Sequence, residues 1–492
     1  MPDFQLSRWV FLRLLGLIYL LAFASLAPQI VALVGADGLL PATEYLERAK
    51  EFYGTQAHAV LPTLGWLSAS DGALLGLCWG GIALSAVAIV GVAPVPTFWL
   101  LWVLYLSLTV LGQTFLSFQW DVLLLETGLL AGLYAPLGWW PRLGNDRTAP
   151  AAVRWLFWVL LFKLMFLSGI TKLVSGDETW WGLTALTFHY QTQPLPTWTS
   201  WYAHHLPGWL HLASTVMMFL IELVIPFLVL APSRFRRTRA AACALLCLFQ
   251  VGIAATGNYG FFNLLTVVLC IAILDDHHLR WLLPRGLGKK TNDRLTAGEP
   301  RPWRVGVTTV AVPVAVVTMV TIWHGATYAS PHPEWSNDLV ALARPLRSIN
   351  TYGLFRTMTT ERPEIIVDAS MDGTNWKEYS FRWKPGDLDR APRFVQPHMP
   401  RLDWQMWFAA LDPYGNQQWL TPMLDGLLRN SPTVLGLLDA TGNPFPDEAP
   451  RYVRLMHYRY DFTTPDERLE TGAWWRRELI APLTGPVTIS AP

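Results

Sequence analysis

Over its first two thirds the chain alternates between long apolar runs and short polar connections, and then its character changes. A helix needs roughly 20 mostly apolar residues to cross a bilayer. The runs Leu14–Val34, Ala73–Val92 and Phe98–Leu116 meet that requirement without a single charge. Less uniform runs follow at Val122–Leu137, Trp155–Leu173, Leu210–Leu230, Ala240–Ala255, Phe261–Leu274 and Val305–Trp323. The pattern predicts about nine transmembrane helices, with Gly257 and Asn258 marking a kink or a tight turn within 240–275. Beyond Trp323, Pro and charged residues become frequent. Glu364–Phe381 alternates around Asp372-Gly373, which predicts two strands joined by a tight turn. Tyr452–Phe462 also alternates, whereas Leu402–Leu411 and Ser431–Leu438 have helical spacing. The expected architecture is an α-helical polytopic membrane bundle over residues 1–324, followed by a β-rich extramembrane C-terminal domain with short helices over 325–492.

Charge adds an orientation. The formal net charge is only +1, from 37 basic and 36 acidic residues, so no global field points to nucleic acid. The basic residues instead cluster at Arg8/Arg13, Arg142/Arg147/Arg154, Arg234/Arg236/Arg237/Arg239 and Arg280–Arg304, while Val174–Trp209 has no Lys or Arg. By the positive-inside rule the clusters are cytoplasmic, and nine crossings then carry the C-terminal domain to the lumenal or periplasmic side. Trp139, Trp140, Trp180, Trp181, Trp201 and Trp209 lie near expected span ends, as an interfacial aromatic belt would. The first apolar run lacks a small-residue cleavage site and reads as an uncleaved anchor. All four cysteines fall in apolar runs, which argues against a disulfide framework. Cys243 and Cys247, one helical turn apart, read as small packing residues before a redox or metal pair.

Ionisable residues at membrane depth are costly and therefore functional candidates, each needing a partner. Lys163 and Glu222 lie deep in their spans and are expected to pair, either as packing glue or on a proton path. Asp121, Glu126 and Lys172 share a level nearer the outer side. Lys172, on one helix face with Ser168 and Gly169, has three readings: snorkelling to the interface, an ion pair with Asp121 or Glu126, or a catalytic base. His189, just beyond the membrane, is a candidate acid–base group or an interfacial packing residue. His204, His205 and His211 lack a Cys, Asp or Glu at ligand spacing, so no metal is expected. Asp275-Asp-His-His278 reads as a solvated boundary. In Arg393–Phe408, the residues Arg393, His398, Arg401, Trp404 and Trp407 suit either a client-binding surface or the seam that packs this domain onto the bundle. The chain contains no Gly-rich phosphate loop, Ser-centred elbow, zinc helix or paired-carboxylate motif.

The segments Arg13–Leu26, Gln119–Glu126, Phe162–Leu173, Thr187–Pro196, Gly257–Asn263, Arg393–Phe408, Asn443–Phe445 and Trp474–Arg477 together resemble the lipase maturation factor family along nearly the whole chain. That resemblance implies an endoplasmic-reticulum membrane protein, or a cytoplasmic-membrane protein in a bacterium, that assists folding or assembly of secreted clients, lipases in animals. A shorter stretch, Ser168–Leu173 followed by Trp180-Trp-Gly182, is similar to the vitamin K-dependent γ-carboxylases. There the matching lysine is the proposed base, so this likeness implies the alternative of an interfacial enzyme with Lys172 as base and a lipid, quinone or exported polypeptide as substrate. Under the maturation-factor reading no cofactor is expected, and the partners are the bilayer and a secreted client. A transporter ranks third, because no paired broken segments mark an inverted repeat.

Overall fold

The computed structural model describes residues 4–141, 143, 150–282, 300–439 and 442–488. Arg142, Arg147 and the basic residues between 283 and 299 lie outside the described residues. A helix stands at each of the expected spans: α1 Gln5–Leu26, α2 Asp71–Val90, α3 Pro94–Leu111, α4 Gln119–Tyr134, α5 Ala151–Val174, α6 Gly208–Leu223 with its continuation Ile225–Val229, α7 Arg236–Thr256, α8 Phe262–Ile271 and α9 Arg301–Ala326. Among the described residues, seven are long and apolar enough to cross a bilayer alone, or eight if the bent pair Phe262–Ile271 and Asp276–Leu282 is one span.

The two short ones have physical reasons. At about 1.5 Å per residue, the 16 residues of α4 rise only ~24 Å, but α4 is buried along almost its whole length and meets protein rather than lipid. A helix surrounded by helices need not match the bilayer. The other, α8, is only 10 residues long and ends at a 114° bend. Gly257 and Asn258 mark neither kink nor simple turn: Gly257 is extended and bridges to Pro196, and Asn258 donates to the Leu195 and Arg393 carbonyls while its own carbonyl oxygen accepts from Val395. The break between α7 and α8 is therefore where two distant loops are tied together.

Local chemistry sets several ends. Ser70 caps α2 by accepting from the Ala73 amide, and Gly91 closes it at φ +90°, a conformation that favours glycine. The first helix starts nine residues before the apolar run, at Gln5, and its opening amides are capped from far away: Asp276 accepts from the Gln5 and Ser7 N–H groups, each at 3.0 Å. Asp275 and Asp276 are buried, and the Asp275 carboxylate stands 2.8 Å from His278 Nδ1. This corrects the reading of that stretch as a solvated boundary, because the free amides of a helix start are a strong attraction for a carboxylate.

The C-terminal region holds one antiparallel sheet in the order β2-β1-β3-β4, made of β1 Arg362–Ser370, β2 Lys377–Glu378, β3 Tyr452–Phe462 and β4 Trp475–Pro482. The expected hairpin is present, turning at Gly373 with φ +76°, and the helix Arg401–Leu411 packs on β1. The predicted helix at 431–438 shrinks to Pro432–Leu435. One continuous apolar core runs from the membrane helices into this region, and Trp201 packs with Ile366, Met456, Tyr460, Phe462 and Trp475. Trp180 and Trp201 are thus buried, whereas Trp139, Trp140, Trp181 and Trp209 are exposed as an interfacial belt requires.

Candidate functional site

The membrane-depth charges form three separate clusters, each closed by a partner from a different element. In the first, Lys163 of α5 pairs with Glu126 of α4. Glu126 also accepts from the Tyr352 hydroxyl at 2.7 Å, so the segment after α9 reaches back into the bundle to complete it. In the second, Asp121 of α4 receives both arms of the Arg401 guanidinium, at 2.6 and 2.8 Å, and the Tyr105 hydroxyl at 2.6 Å. In the third, Lys172 donates to Glu222 of α6 at 2.8 Å and to the Ser168 carbonyl at 2.9 Å, with its ammonium 5.3 Å from the centre of the Trp180 ring.

The expected pairings are therefore corrected on every count. Lys163 meets Glu126 rather than Glu222, and Lys172 meets Glu222 rather than Asp121 or Glu126. The levels expected from the sequence are themselves misplaced: Lys163 and Lys172 lie about 13.5 Å apart along α5, and Glu126 stands beside the first whereas Glu222 stands beside the second. Gly169 is what lets α6 come close: a Cβ there would stand 2.9 Å from the Glu222 Cβ and 2.8 Å from Leu223 Cδ2. Lys172 is also buried rather than snorkelling to water. Its ammonium is directed at a carboxylate, a carbonyl and an indole face.

The Arg393–Phe408 segment forms the docking seam. Arg401, Trp404 and Trp407 are buried, and the Trp407 indole donates to the Thr192 carbonyl at 2.8 Å. His398 hydrogen-bonds to Ser25 at 3.0 Å, and Gln29 of the turn after α1 donates to Met399 O and accepts from the Arg401 amide. This burial leaves Arg401, Trp404 and Trp407 no free surface for a client; within the segment Arg393, Phe394 and Phe408 are exposed. Arg362, buried in the sheet, adds a second anchor by donating to the Gln191, Gln193 and Pro194 carbonyls and to Glu364.

Beside Lys172 lies a cavity of about 690 Å³, walled by α5, α6, α7, α8, the loops after α5 and α7, and Leu354 and Phe355 beyond α9. Most of its lining is apolar, including Met165, Met218, Ile221, Leu248, Phe249 and Phe355. Its polar members include Lys172, Glu222, His189, Tyr259, Gln250 and Asn263, with hydroxyls from Ser168, Tyr190, Ser214, Thr256 and Thr266. His189 contacts the Tyr259 hydroxyl at 3.3 Å, and that hydroxyl donates to Gln193 Oε1 at 2.8 Å. Burial, with a further push from the Lys172 ammonium, lowers the His189 pKa to about 4. The ring is neutral at physiological pH. Sequence reasoning found Lys172, Glu222 and His189 but not Tyr259, Gln193, Gln250 or Asn263. Tyr259, Asn263 and Gln193 lie within segments that carry the family likeness, which was the available signal.

A model of the lipase maturation factor transmembrane domain matches residues 6–281, and one of the lipase maturation factor C-terminal domain matches 348–484. Human lipase maturation factor 2 is 36% identical, covering 100% of this chain and 84% of the relative. The chain belongs to the lipase maturation factor family. Mouse lipase maturation factor 1 is 36% identical over 99% of the chain and 88% of its own length, and the Bos taurus factor 1 is 35% identical over 99% and 89%. No solved structure matches. The two matched lipase maturation factor regions fall on either side of α9, and two of the three charge clusters join them: Glu126 with Tyr352 and Asp121 with Arg401 both link the first region to the second. In this multi-pass membrane member of the family, the two regions are therefore one packed unit.

Proposed function

We propose that this protein is a membrane-embedded maturation factor that assists folding or assembly of a secreted lipase-class client, acting by holding the client rather than by covalent chemistry. The observation that carries the reading is 36% identity to human lipase maturation factor 2 across the whole of this chain. A part-length match would support a shared membrane scaffold only; a match through both regions supports shared work. The placement of Arg8, Arg13, Arg234, Arg236 and Arg237 on one side supports an orientation with the C-terminal region on the lumenal or periplasmic face, where an exported client emerges. In a eukaryote that face belongs to the endoplasmic reticulum, and in a bacterium to the cytoplasmic membrane. The test is deletion of the gene with measurement of exported lipase activity per unit of secreted lipase antigen. The expected result is a fall in active fraction with unchanged message, restored by the wild-type chain. Unchanged specific activity of every exported lipase would remove the proposal.

A further inference from the structure

The polar side chains around the cavity beside Lys172 have for the most part spent their protons already. Ser168, Thr256 and Thr266 donate their hydroxyls to the Leu164, Gly252 and Phe262 carbonyls of their own helices, at 2.7, 3.2 and 3.0 Å. Lys172 and Glu222 neutralise each other, Gln250 Oε1 holds the Asn263 amide, and the Tyr259 hydroxyl is given to Gln193. The two acceptors that lack a donor, His189 Nδ1 and Asn263 Oδ1, are closed over by neighbouring atoms and do not face the space. Among the described residues, three uncharged donors of the lining keep no partner: Gln250 Nε2 and the hydroxyls of Tyr190 and Ser214. Tyr190 and Ser214 stand near the end of the cavity where α6 begins: the Tyr190 ring lies 5.7 Å from that of His211, in the first turn of α6, and Ser214 follows one turn later. The rest of the surface is hydrocarbon or already satisfied, and donors left in it without an acceptor are costly.

Mouth and length narrow the occupant further. Met217 on α6 and Leu245 and Leu248 on α7 line the cavity and are exposed, on helices long and apolar enough to span a bilayer, so it opens sideways into the lipid. Its lining on α7 runs from Leu245 to Thr256, a rise of about 16 Å. One leaflet contributes roughly half of the ~30 Å hydrocarbon core, so the slot is one acyl chain deep. The unspent donors require acceptor oxygens. A sterol brings a single oxygen and a quinone two, on opposite edges of one ring, against three donors, whereas a glycerolipid carries several ester oxygens at the head of its chains. A free fatty acid would bring a carboxylate to a lining whose one cation is already paired. We propose that this cavity holds one acyl chain of a glycerolipid, drawn from the leaflet on the side where α6 begins, with its ester oxygens accepting from the unspent donors, Tyr190 and Ser214 among them. At about 690 Å³ the volume lies within the range of roughly 300–1,000 Å³ typical of small-molecule sites. This inference stands whether or not the client proposed above is a lipase.

The experiment uses the full chain in nanodiscs of diether phosphatidylcholine, with a trace of diester phosphatidylcholine whose acyl chain carries a photoreactive diazirine and an alkyne. The expected result is labelling of Met218 or Ile221, which line the cavity and are buried from lipid around the protein. Unlabelled diester lipid should displace the probe, and added diether lipid should do so about twofold to tenfold less effectively, as loss of one hydrogen bond requires. A sterol and an isoprenoid quinone at the same mole fraction should not displace it. The double variant Tyr190→Phe with Ser214→Ala removes two hydroxyls that no protein group uses, and it should reduce the preference for ester over ether. Gly252→Trp tests the space itself, since a Cβ there meets nothing within 4 Å and the residue lines the cavity; it should abolish the labelling while the thermal unfolding midpoint is unchanged. Labelling confined to lipid-facing residues, equal displacement by the diether lipid, displacement by the sterol or the quinone, an ester preference undiminished in the double variant, or labelling of Met218 and Ile221 that persists in a well-folded Gly252→Trp protein would each overturn the proposal.

Discussion

Replacing Arg401 with Met tests whether the C-terminal region is held to the bundle by the buried ion pair at its seam. Arg401 places two N–H groups on the Asp121 carboxylate, at 2.6 and 2.8 Å, and a third hydrogen bond on the Phe115 carbonyl at 3.1 Å. Both side chains are fully buried. Methionine fills much of the same volume but leaves Asp121 with the Tyr105 hydroxyl as its remaining side-chain donor. Removing one member of a buried pair costs about 3–5 kcal/mol, because the other charge stays behind in an apolar setting. Converted at 1.4 kcal/mol per tenfold, the undocked population rises by about two to nearly four powers of ten. Limited proteolysis of the detergent-purified protein reads that population when closing is fast relative to cleavage. Cleavage between 347 and 361, the segment entering the sheet, should accelerate by at least a hundredfold in Arg401→Met. The double variant Arg401→Met with Asp121→Leu removes the stranded charge and should be cleaved more slowly than the single one. A single variant cleaved within fivefold of the native rate would refute the idea that this pair holds the seam.

Three further outcomes are expected. Lys172→Arg should keep near-normal client yield because it preserves the charge facing Glu222, whereas Lys172→Met should lose part of it by stranding that carboxylate; an inactive but well-folded arginine variant would revive a role as a base. His189, His204 and His398 all have pKa values lowered to about 4, each chiefly by burial and then by neighbouring cationic or histidine groups. Their lowered folded values favour the folded state above the unfolded pKa of about 6.5, so thermal stability should be full at pH 7 and decline from there toward pH 4; a stability profile flat over that window would contradict their buried neutral state. Cysteines introduced at the exposed positions Arg237 and Thr374 should be labelled by an impermeant maleimide from opposite sides of intact vesicles, and labelling from one side would mean an even number of crossings between them.

The helices were legible because each span is a one-dimensional signal, an apolar run of bilayer length. Their starts were less so: Arg8 reads as a residue outside the membrane, yet it is buried against Tyr134, with its guanidinium carbon 5.6 Å from the ring centre, so α1 begins well before the uncharged run. The candidate residues were found because a charge at membrane depth is conspicuous in any sequence. Their partners were not, since counting residues from expected span ends puts Glu126 level with Lys172 and Glu222 level with Lys163, whereas the packed helices set Glu126 beside Lys163, 37 positions away, and Glu222 beside Lys172, 50 positions away. The seam at Arg401 was one of two readings for its segment, and mixed aromatic and arginine composition cannot separate an outward-facing surface from one already covered. The strand Trp475–Pro482 and the helix Leu420–Leu428 escaped the reading, the first because its outward face is charged and its alternation incomplete.

The cap on α1 also imposes an order on synthesis. The amides of Gln5 and Ser7 wait for Asp276, which is 271 residues further along the chain, and Gln29 waits for Arg401, 372 residues away. At about 5–20 residues per second, the first interval is roughly 15–55 s. Throughout that time the oldest helix in the membrane carries an unfinished end, and the bundle cannot take its final form until the last third of the message has been read. A ribosome stalled after the last spanning helix would release a protein that is fully inserted and still unlocked, its first helix capped by Asp276 but its Asp121 carboxylate bare of Arg401, which quality-control machinery can recognise.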